Sequence, residues 1–106
     1  MSLLSVIRER RQAHRQRAIK GIDRLVSLLK DSFVFDELYL CGSILKEGFH
    51  RHSDIDLVIK GLSAEDFFKA YALLIRESDF QIDLKPFEDL TNDFKDYVIT
   101  RGVRIG

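Results

Sequence analysis

The chain is poor in the residues that break, cross-link or anchor a protein. Its 106 residues include one proline, one cysteine and no tryptophan. A lone cysteine excludes an internal disulfide framework, and no Pro-, Gly- or Ser-rich stretch marks a linker. No apolar run approaches the roughly 20 residues that a membrane-crossing helix needs. These absences predict a single domain over residues 1–106, with no membrane association and a cytoplasmic location.

The charges that are present are unevenly distributed. The formal net charge is zero, so bulk attraction to nucleic acid is not expected. Residues 8–24 nevertheless hold seven basic side chains against two acidic ones, a local charge of +5. This asymmetry suggests an acidic partner for the N-terminal segment, while a solvated helix face is the simpler interpretation.

Apolar residues in the first 30 positions recur with helical spacing. Ile19, Ile22, Val26 and Leu29 form one stripe, which predicts a single long helix. Between residues 8 and 17 only Ala13 is apolar. We therefore expect residues 1 to about 18 to form a helical extension that projects from the core or packs on another chain.

The rest of the sequence alternates strand-like and helix-like segments. Strands are predicted at 33–41, 54–59, 80–84 and 103–105, and short helices at 43–47 and 94–99. Between them, Ser63 to Asp66 resembles a capping box that opens a longer helix. The apolar face of that helix is expected to consist of Phe67, Tyr71, Leu74 and Ile75. The order predicts an α/β (α+β) fold, a small mixed β-sheet with helices mainly on one face.

Three aspartates are placed to converge at one edge of this sheet. Because side chains alternate along a strand, Asp54 and Asp56 share a face, opposite the apolar Ile55 and Leu57. Asp83 repeats the pattern on the third strand and can join them if the two strands are neighbours. Clustered carboxylates repel one another, and a divalent cation would offset that cost. Three oxygen donors suit Mg²⁺, whereas a polar strand end in water is the alternative.

Gly42 and Ser43 supply a second feature at the end of the first strand. Glycine lets a ligand approach the backbone closely, and a serine at a helix start adds a hydroxyl beside free N–H groups. Such a position favours phosphate. A phosphate-binding turn next to a metal-binding strand indicates nucleotide chemistry.

These residues carry a resemblance to a known family. Gly42-Ser43, ten intervening residues and Asp54-Ile55-Asp56 resemble the Gly-Ser-x10-Asp-x-Asp motif of the minimal nucleotidyltransferases. That family belongs to the DNA polymerase-beta-like superfamily, and the likeness covers roughly residues 20–106. It implies a nucleotidyltransferase fold with catalytic, Mg²⁺-ligating Asp54, Asp56 and Asp83. The implied nucleotide-binding residues are Gly42, Ser43, Lys46 and Ser53.

Small members of that family suggest a more specific function. The chain is similar to MntA-type antitoxins of HEPN–MNT toxin–antitoxin pairs. The resemblance implies transfer of AMP from ATP to a tyrosine hydroxyl of a HEPN toxin, within a hetero-oligomer. The alternative is a catalytically weak or inactive antitoxin that neutralises its partner by binding alone. Transfer to RNA or a small molecule is a third reading, and direct binding of nucleic acid is not expected.

The motif also departs from its usual form. Ile44-Leu45-Lys46-Glu47 stands where many members have a stretch resembling Arg-Ala-Arg-Gly. Lys46 retains one cation, whereas Glu47 replaces a glycine and adds negative charge near the phosphates. This departure and the basic N-terminal helix favour the binding-only alternative. His50 and His52 suggest either metal ligands or a polar loop, and the loop is preferred because no third ligand accompanies them.

Two further residues are considered individually. Cys41 is expected to be a small buried hydrophobe. For Tyr97, core packing and a partner contact remain open.

Overall fold

The computed structural model describes residues 2–46, 49 and 52–106. Predictions that concern Glu47 and His50 therefore lie outside the described residues. The described chain forms three α-helices, four strands and two short 3₁₀ helices at Gly42–Leu45 and Phe87–Asp89. The α-helices are α1 Leu3–Ser32, α2 Ala64–Glu77 and α3 Asn92–Arg101, and the strands are β1 Glu37–Cys41, β2 Ile55–Lys60, β3 Ile82–Pro86 and β4 Val103–Arg104.

The four strands form one mixed sheet in the order β3-β2-β1-β4. β1 pairs antiparallel with both β2 and β4, whereas β2 and β3 are parallel and are connected by α2. In this register Asp56 lies between Cys41 on β1 and Asp83 on β3. The second and third strands are therefore neighbours, which is the condition on which Asp83 could join the other aspartates.

The two faces of the sheet pack against different helices. Ile55, Leu57 and Ile59 are almost fully buried in a core shared with α1 and α2. The opposite face contributes Val58 to a smaller cluster that includes Val98 of α3. Burial of each such aliphatic side chain stabilises the fold by about 1.5–3 kcal/mol. The prediction of a mixed sheet with helices mainly on one face is confirmed.

Helix α1 extends well beyond the residues that it buries. Its N-cap is Ser2, whose hydroxyl accepts the N–H of Ser5 at 3.2 Å. Only the second half contributes to the core, through a stripe consisting of Ala18, Ile22, Leu25 and Leu29. The first turn exposes Leu3 and Leu4 to solvent. The predicted long helix is confirmed. Two residues of its predicted stripe, Ile22 and Leu29, are buried, whereas Ile19 and Val26 are only half-buried.

Two predicted strands begin too early. Residues 33–36 are not part of β1, because the N–H of Phe33 closes the end of α1 on the carbonyl of Leu29. The third strand begins at Ile82, because the Ser78 hydroxyl hydrogen-bonds both backbone groups of Phe80 and holds a turn there. It continues through Pro86, which an edge strand tolerates.

Smaller corrections concern the ends of other elements. The helix predicted at 43–47 is a 3₁₀ helix that starts at Gly42, so Ser43 lies inside it and is not its N-cap. β2 starts at Ile55, leaving Asp54 just before the strand. β4 ends at Arg104, one residue earlier than expected. The last helix is longer than predicted because the Thr91 hydroxyl caps it by accepting the N–H of Phe94.

Two burial predictions also fail. Ile75 is 61% exposed, since the inward face of α2 is formed by Ala70 and Leu74. Phe49 directly precedes the segment of His50 and His52 that was expected to be a polar loop, yet it is fully buried. Its ring stacks on His14 of α1 at 5.5 Å, which joins this segment to the core. Among the described residues, no helix combines the length and apolarity required to cross a bilayer.

Candidate active site

Two carboxylates meet where β2 and β3 run side by side. Asp56 and Asp83 are direct partners in the parallel register, so their side chains point to the same face. That face is opposite the one that buries Ile55 and Leu57 in the main core. Asp54 precedes β2 and is exposed. The structure thus brings Asp56 and Asp83 together and leaves Asp54 at the margin.

The position of Asp56 makes its negative charge costly. Burial raises the pKa of this carboxyl, and the neighbouring charge of Asp83 raises it further. The ammonium of Lys85 lowers the pKa of Asp56, whereas the charge of Asp54 raises it. A carboxylate in such surroundings favours a nearby cation.

Lys85 is a member of this cluster that the sequence interpretation missed. Its Nζ donates to Asp83 Oδ2 at 2.5 Å, and this hydrogen bond raises the pKa of the lysine. Asp83 and Lys85 are two residues apart on β3, so the alternation used for the aspartates already placed them on one face. The predicted strand ends at residue 84, so the sequence alone does not place the lysine beside the aspartates.

Gly42 is required by the close approach of Asp56. It has a φ of +79°, which L side chains rarely adopt. A Cβ at this position would overlap Asp56 Oδ2 and lie only 3.0 Å from its Cγ. The glycine therefore allows backbone and carboxylate to occupy the same corner of the sheet.

The 3₁₀ helix that follows Gly42 is attached to α1. Arg15 Nε donates to the carbonyl oxygen of Ile44 at 2.6 Å, and the Ile44 side chain is 1% exposed. One of the N-terminal basic residues thus holds the motif in place. Arg24, another of them, bonds to Glu77 at the end of α2. The basic segment is consequently not only a solvated face.

The remaining predicted nucleotide-binding residues lie around this corner. Ser43 is half-buried inside the 3₁₀ helix, and its carbonyl accepts the N–H of Lys46 at 2.9 Å. The Lys46 side chain is exposed at the end of that helix. Ser53 is half-buried directly before Asp54. The roles of these residues in nucleotide binding stay predictions.

The carboxylates fit a divalent cation only in part. Within residues 2–46, 49 and 52–106, no group of three or more His, Cys, Asp or Glu side chains is arranged to hold a metal. Asp56 and Asp83 form an adjacent pair of hard oxygen donors, and Asp54 lines a separate cavity with Ile75 and Phe80. Mg²⁺ commonly binds through one or two carboxylates together with water and substrate phosphates. The pair matches that pattern.

A cavity of about 240 Å³ adjoins the carboxylate corner. Gly42, Asp56 and Lys85 line it together with the rings of Phe94 and Tyr97 from α3. Cys41 lies at its inner wall and is 4% exposed, as expected for a buried hydrophobe. Burial and the charge of Asp56 raise the pKa of its thiol, which disfavours a role as a nucleophile.

Comparison of the sequence with known protein families identifies the domain. The profile of the nucleotidyltransferase domain family matches residues 9–104, nearly the whole chain. The chain belongs to this family. No curated protein matches it by sequence.

Solved structures resemble this nucleotidyltransferase domain. A chain from the crystal structure of a toxin–antitoxin with AMP-PNP aligns with a TM-score of 0.64 and 25% identity, covering 80% of this chain and 69% of that one. A chain of the MntA-HepT toxin–antitoxin gives a TM-score of 0.57 and 20% identity, covering 79% and 68%. A candidate nucleotidyltransferase from Sulfolobus solfataricus gives 0.59 and 24%, covering 89% and 84%.

Proposed function

We propose that this nucleotidyltransferase transfers AMP from ATP to a tyrosine hydroxyl of a HEPN-type toxin and thereby acts as its antitoxin. One observation supports nucleotidyl transfer at this site. Asp56 and Asp83 are direct partners on adjacent strands, and Asp56 lies so close to Gly42 that a larger residue would not fit there. Family membership supports nucleotidyl transfer. The toxin–antitoxin structures among its relatives support the choice of partner.

The chemistry requires a bond exchange at the α-phosphorus of ATP. The attacking hydroxyl oxygen bonds to this phosphorus, the bond to the bridging oxygen breaks, and pyrophosphate leaves. In the proposal, Asp83 accepts the hydroxyl proton, and Lys85 provides a cation beside the phosphates. Gly42 admits the Asp56 carboxylate close to the backbone at this corner. Mg²⁺ held by Asp56 and Asp83, with Asp54 able to join, would stabilise the charge on the phosphate oxygens.

A substitution at the carboxylate pair tests the proposal. Asp56→Asn preserves size and removes the charge, so transfer from α-radiolabelled ATP to a co-purified HEPN-type partner should fall at least about 100-fold. Asp31→Asn is the matched control, because Asp31 is an exposed carboxylate in the last turns of α1. Undiminished labelling by Asp56→Asn would overturn the assignment of this site.

A second function is favoured by one specific observation. Lys85 already compensates Asp83, so the site has an internal counterion. This arrangement is also what a binding-only antitoxin could retain after losing catalysis. Neutralisation of toxin activity by Asp56→Asn separates the two: full protection supports binding alone, and lost protection with retained complex formation supports catalysis.

A further inference from the structure

Two exposed aromatic rings border the cavity at the carboxylate corner. Phe94 and Tyr97 are three residues apart on α3, so they lie on one face of the helix. Their ring centroids are 5.6 Å apart and the rings are tilted by 40°. Phe94 is 39% exposed and Tyr97 is 43% exposed. We call this pair the aromatic ledge.

Packing of α3 does not account for the ledge. The helix contributes one fully buried residue, Val98, to the cluster on this face of the sheet. Phe94 lies one turn before Val98 and therefore points to the same side. Phe94 and Tyr97 nevertheless line the cavity, and both rings remain partly exposed. The two rings therefore line the same cavity as Asp56 and Lys85.

The shape and lining of the cavity suit a flat ring system. Its volume of about 240 Å³ is below the roughly 300–1,000 Å³ typical of sites for drug-sized ligands. Its lining combines the charged Asp56 and Lys85, the apolar Val58 and Cys41, and the two rings of the ledge. A ligand with phosphates at the carboxylates and a planar group on the rings would match this lining.

We infer that the aromatic ledge binds the nucleobase of the nucleotide substrate by stacking. The inference rests on the proposed function and adds to it the subsite for the base. Stacking on aromatic rings tolerates every base because each has a π-face. The charged side chains that line the cavity are Asp56 and Lys85, and the proposed function assigns both to the phosphate and metal chemistry. The ledge should therefore favour purines over pyrimidines through ring area, with little discrimination between ATP and GTP.

Binding measurements with a base-free probe test the inference. Titration calorimetry in Mg²⁺ compares ATP, GTP, CTP and inorganic triphosphate. We expect ATP and GTP to bind similarly, CTP more weakly and triphosphate weakest. Loss of a stacked base interaction corresponds to about a 5- to 150-fold change in affinity. Phe94→Ala/Tyr97→Ala should reduce ATP affinity toward that of triphosphate and leave triphosphate binding unchanged.

Matched variants make the result specific. Phe68→Ala removes a ring that is 71% exposed on α2 and does not line this cavity, so ATP affinity should be unchanged. Tyr97→Phe keeps the ring and should also preserve ATP affinity. If the double alanine variant does not fold, quenching of etheno-ATP fluorescence by the unaltered protein reports the same stacking.

The outcomes separate the inference from the proposed function. If inorganic triphosphate fails to bind in Mg²⁺, the phosphate site and the proposed function both fail. If triphosphate binds as tightly as ATP and etheno-ATP is not quenched, the ledge is not a base site although nucleotidyl transfer stands. If the double variant raises only the KM for the protein acceptor, the ledge contacts the acceptor and the inference is overturned.

Discussion

Asp56→Asn should make the metal-free protein more stable while abolishing its proposed activity. Asp56 and Asp83 are partners on adjacent strands, which places their carboxylates roughly 5 Å apart. At an effective dielectric constant of about 20, two like charges at that separation repel by about 3 kcal/mol. Lys85 bonds to Asp83 and offsets much of this repulsion. We therefore expect a net gain of about 1 kcal/mol, or about 4–8 °C in melting temperature.

The pH dependence of this gain follows from the raised pKa of Asp56. The unfolded carboxyl titrates near 3.9, below the folded group, so ionisation destabilises the fold at neutral pH. This destabilisation is complete above the folded pKa, decreases as the pH falls through that value and disappears below the unfolded pKa. The difference in melting temperature between Asp56→Asn and the unaltered protein should shrink in the same interval.

The assay is thermal unfolding followed by circular dichroism, with chelator and with millimolar MgCl₂. Mg²⁺ should stabilise the unaltered protein by mass action and have little effect on Asp56→Asn. Asp31→Asn serves as the control for an exposed carboxylate, and its effect should stay within about 0.5 kcal/mol. A lower melting temperature for metal-free Asp56→Asn would refute the reasoning, because it would mean that the carboxylate stabilises the empty site.

Three further substitutions test the surroundings of the carboxylates. Gly42→Ala should destabilise the fold by about 1–3 kcal/mol in thermal melts, because position 42 has a positive φ and an added Cβ would overlap the Asp56 carboxylate. Gly21→Ala, in the interior of α1, should instead stabilise the fold by about 0.5–1 kcal/mol. Lys85→Met should tighten Mg²⁺ binding about fivefold in calorimetry by removing a competing cation, and unchanged affinity would contradict that role. Arg15→Ala should cost about 1 kcal/mol and speed amide exchange in the 3₁₀ helix, whereas exposed Arg11→Ala should do neither.

The carboxylate pair could be predicted in part because it depends partly on local rules. Alternation along a strand puts Asp56 opposite Ile55 and Leu57, whereas the parallel pairing of the second and third strands is known only from the structure. That pairing registers Asp56 with Asp83. The same rules would have added Lys85 had the strand been extended through Pro86. An edge position, which permits a proline in a strand, is known only once the order of strands is known.

Other parts of the corner depend on contacts between distant residues. Arg15 and Ile44 are 29 positions apart, and no local pattern links an arginine on a helix to a carbonyl in a turn. Phe49 looks like an isolated aromatic residue in a polar segment until His14 of α1 is placed beside it. The aromatic ledge could not be predicted for the same reason, since only the folded structure shows that Phe94 and Tyr97 line a cavity beside Asp56.

The arrangement of Gly42, Asp56 and Lys85 affects the stability of the fold at the carboxylate corner. The partly buried charge of Asp56 weakens the fold, and the glycine that admits this carboxylate adopts a conformation that costs chain entropy. Lys85 is the compensating group in this part of the described chain, and it bonds to Asp83 while Asp56 remains perturbed. Because Lys85 only partly compensates the charge of Asp56, a bound cation would stabilise the protein most at this carboxylate. A site optimised only for stability would instead have an uncharged residue there, so the retained charge is itself an argument for a ligand.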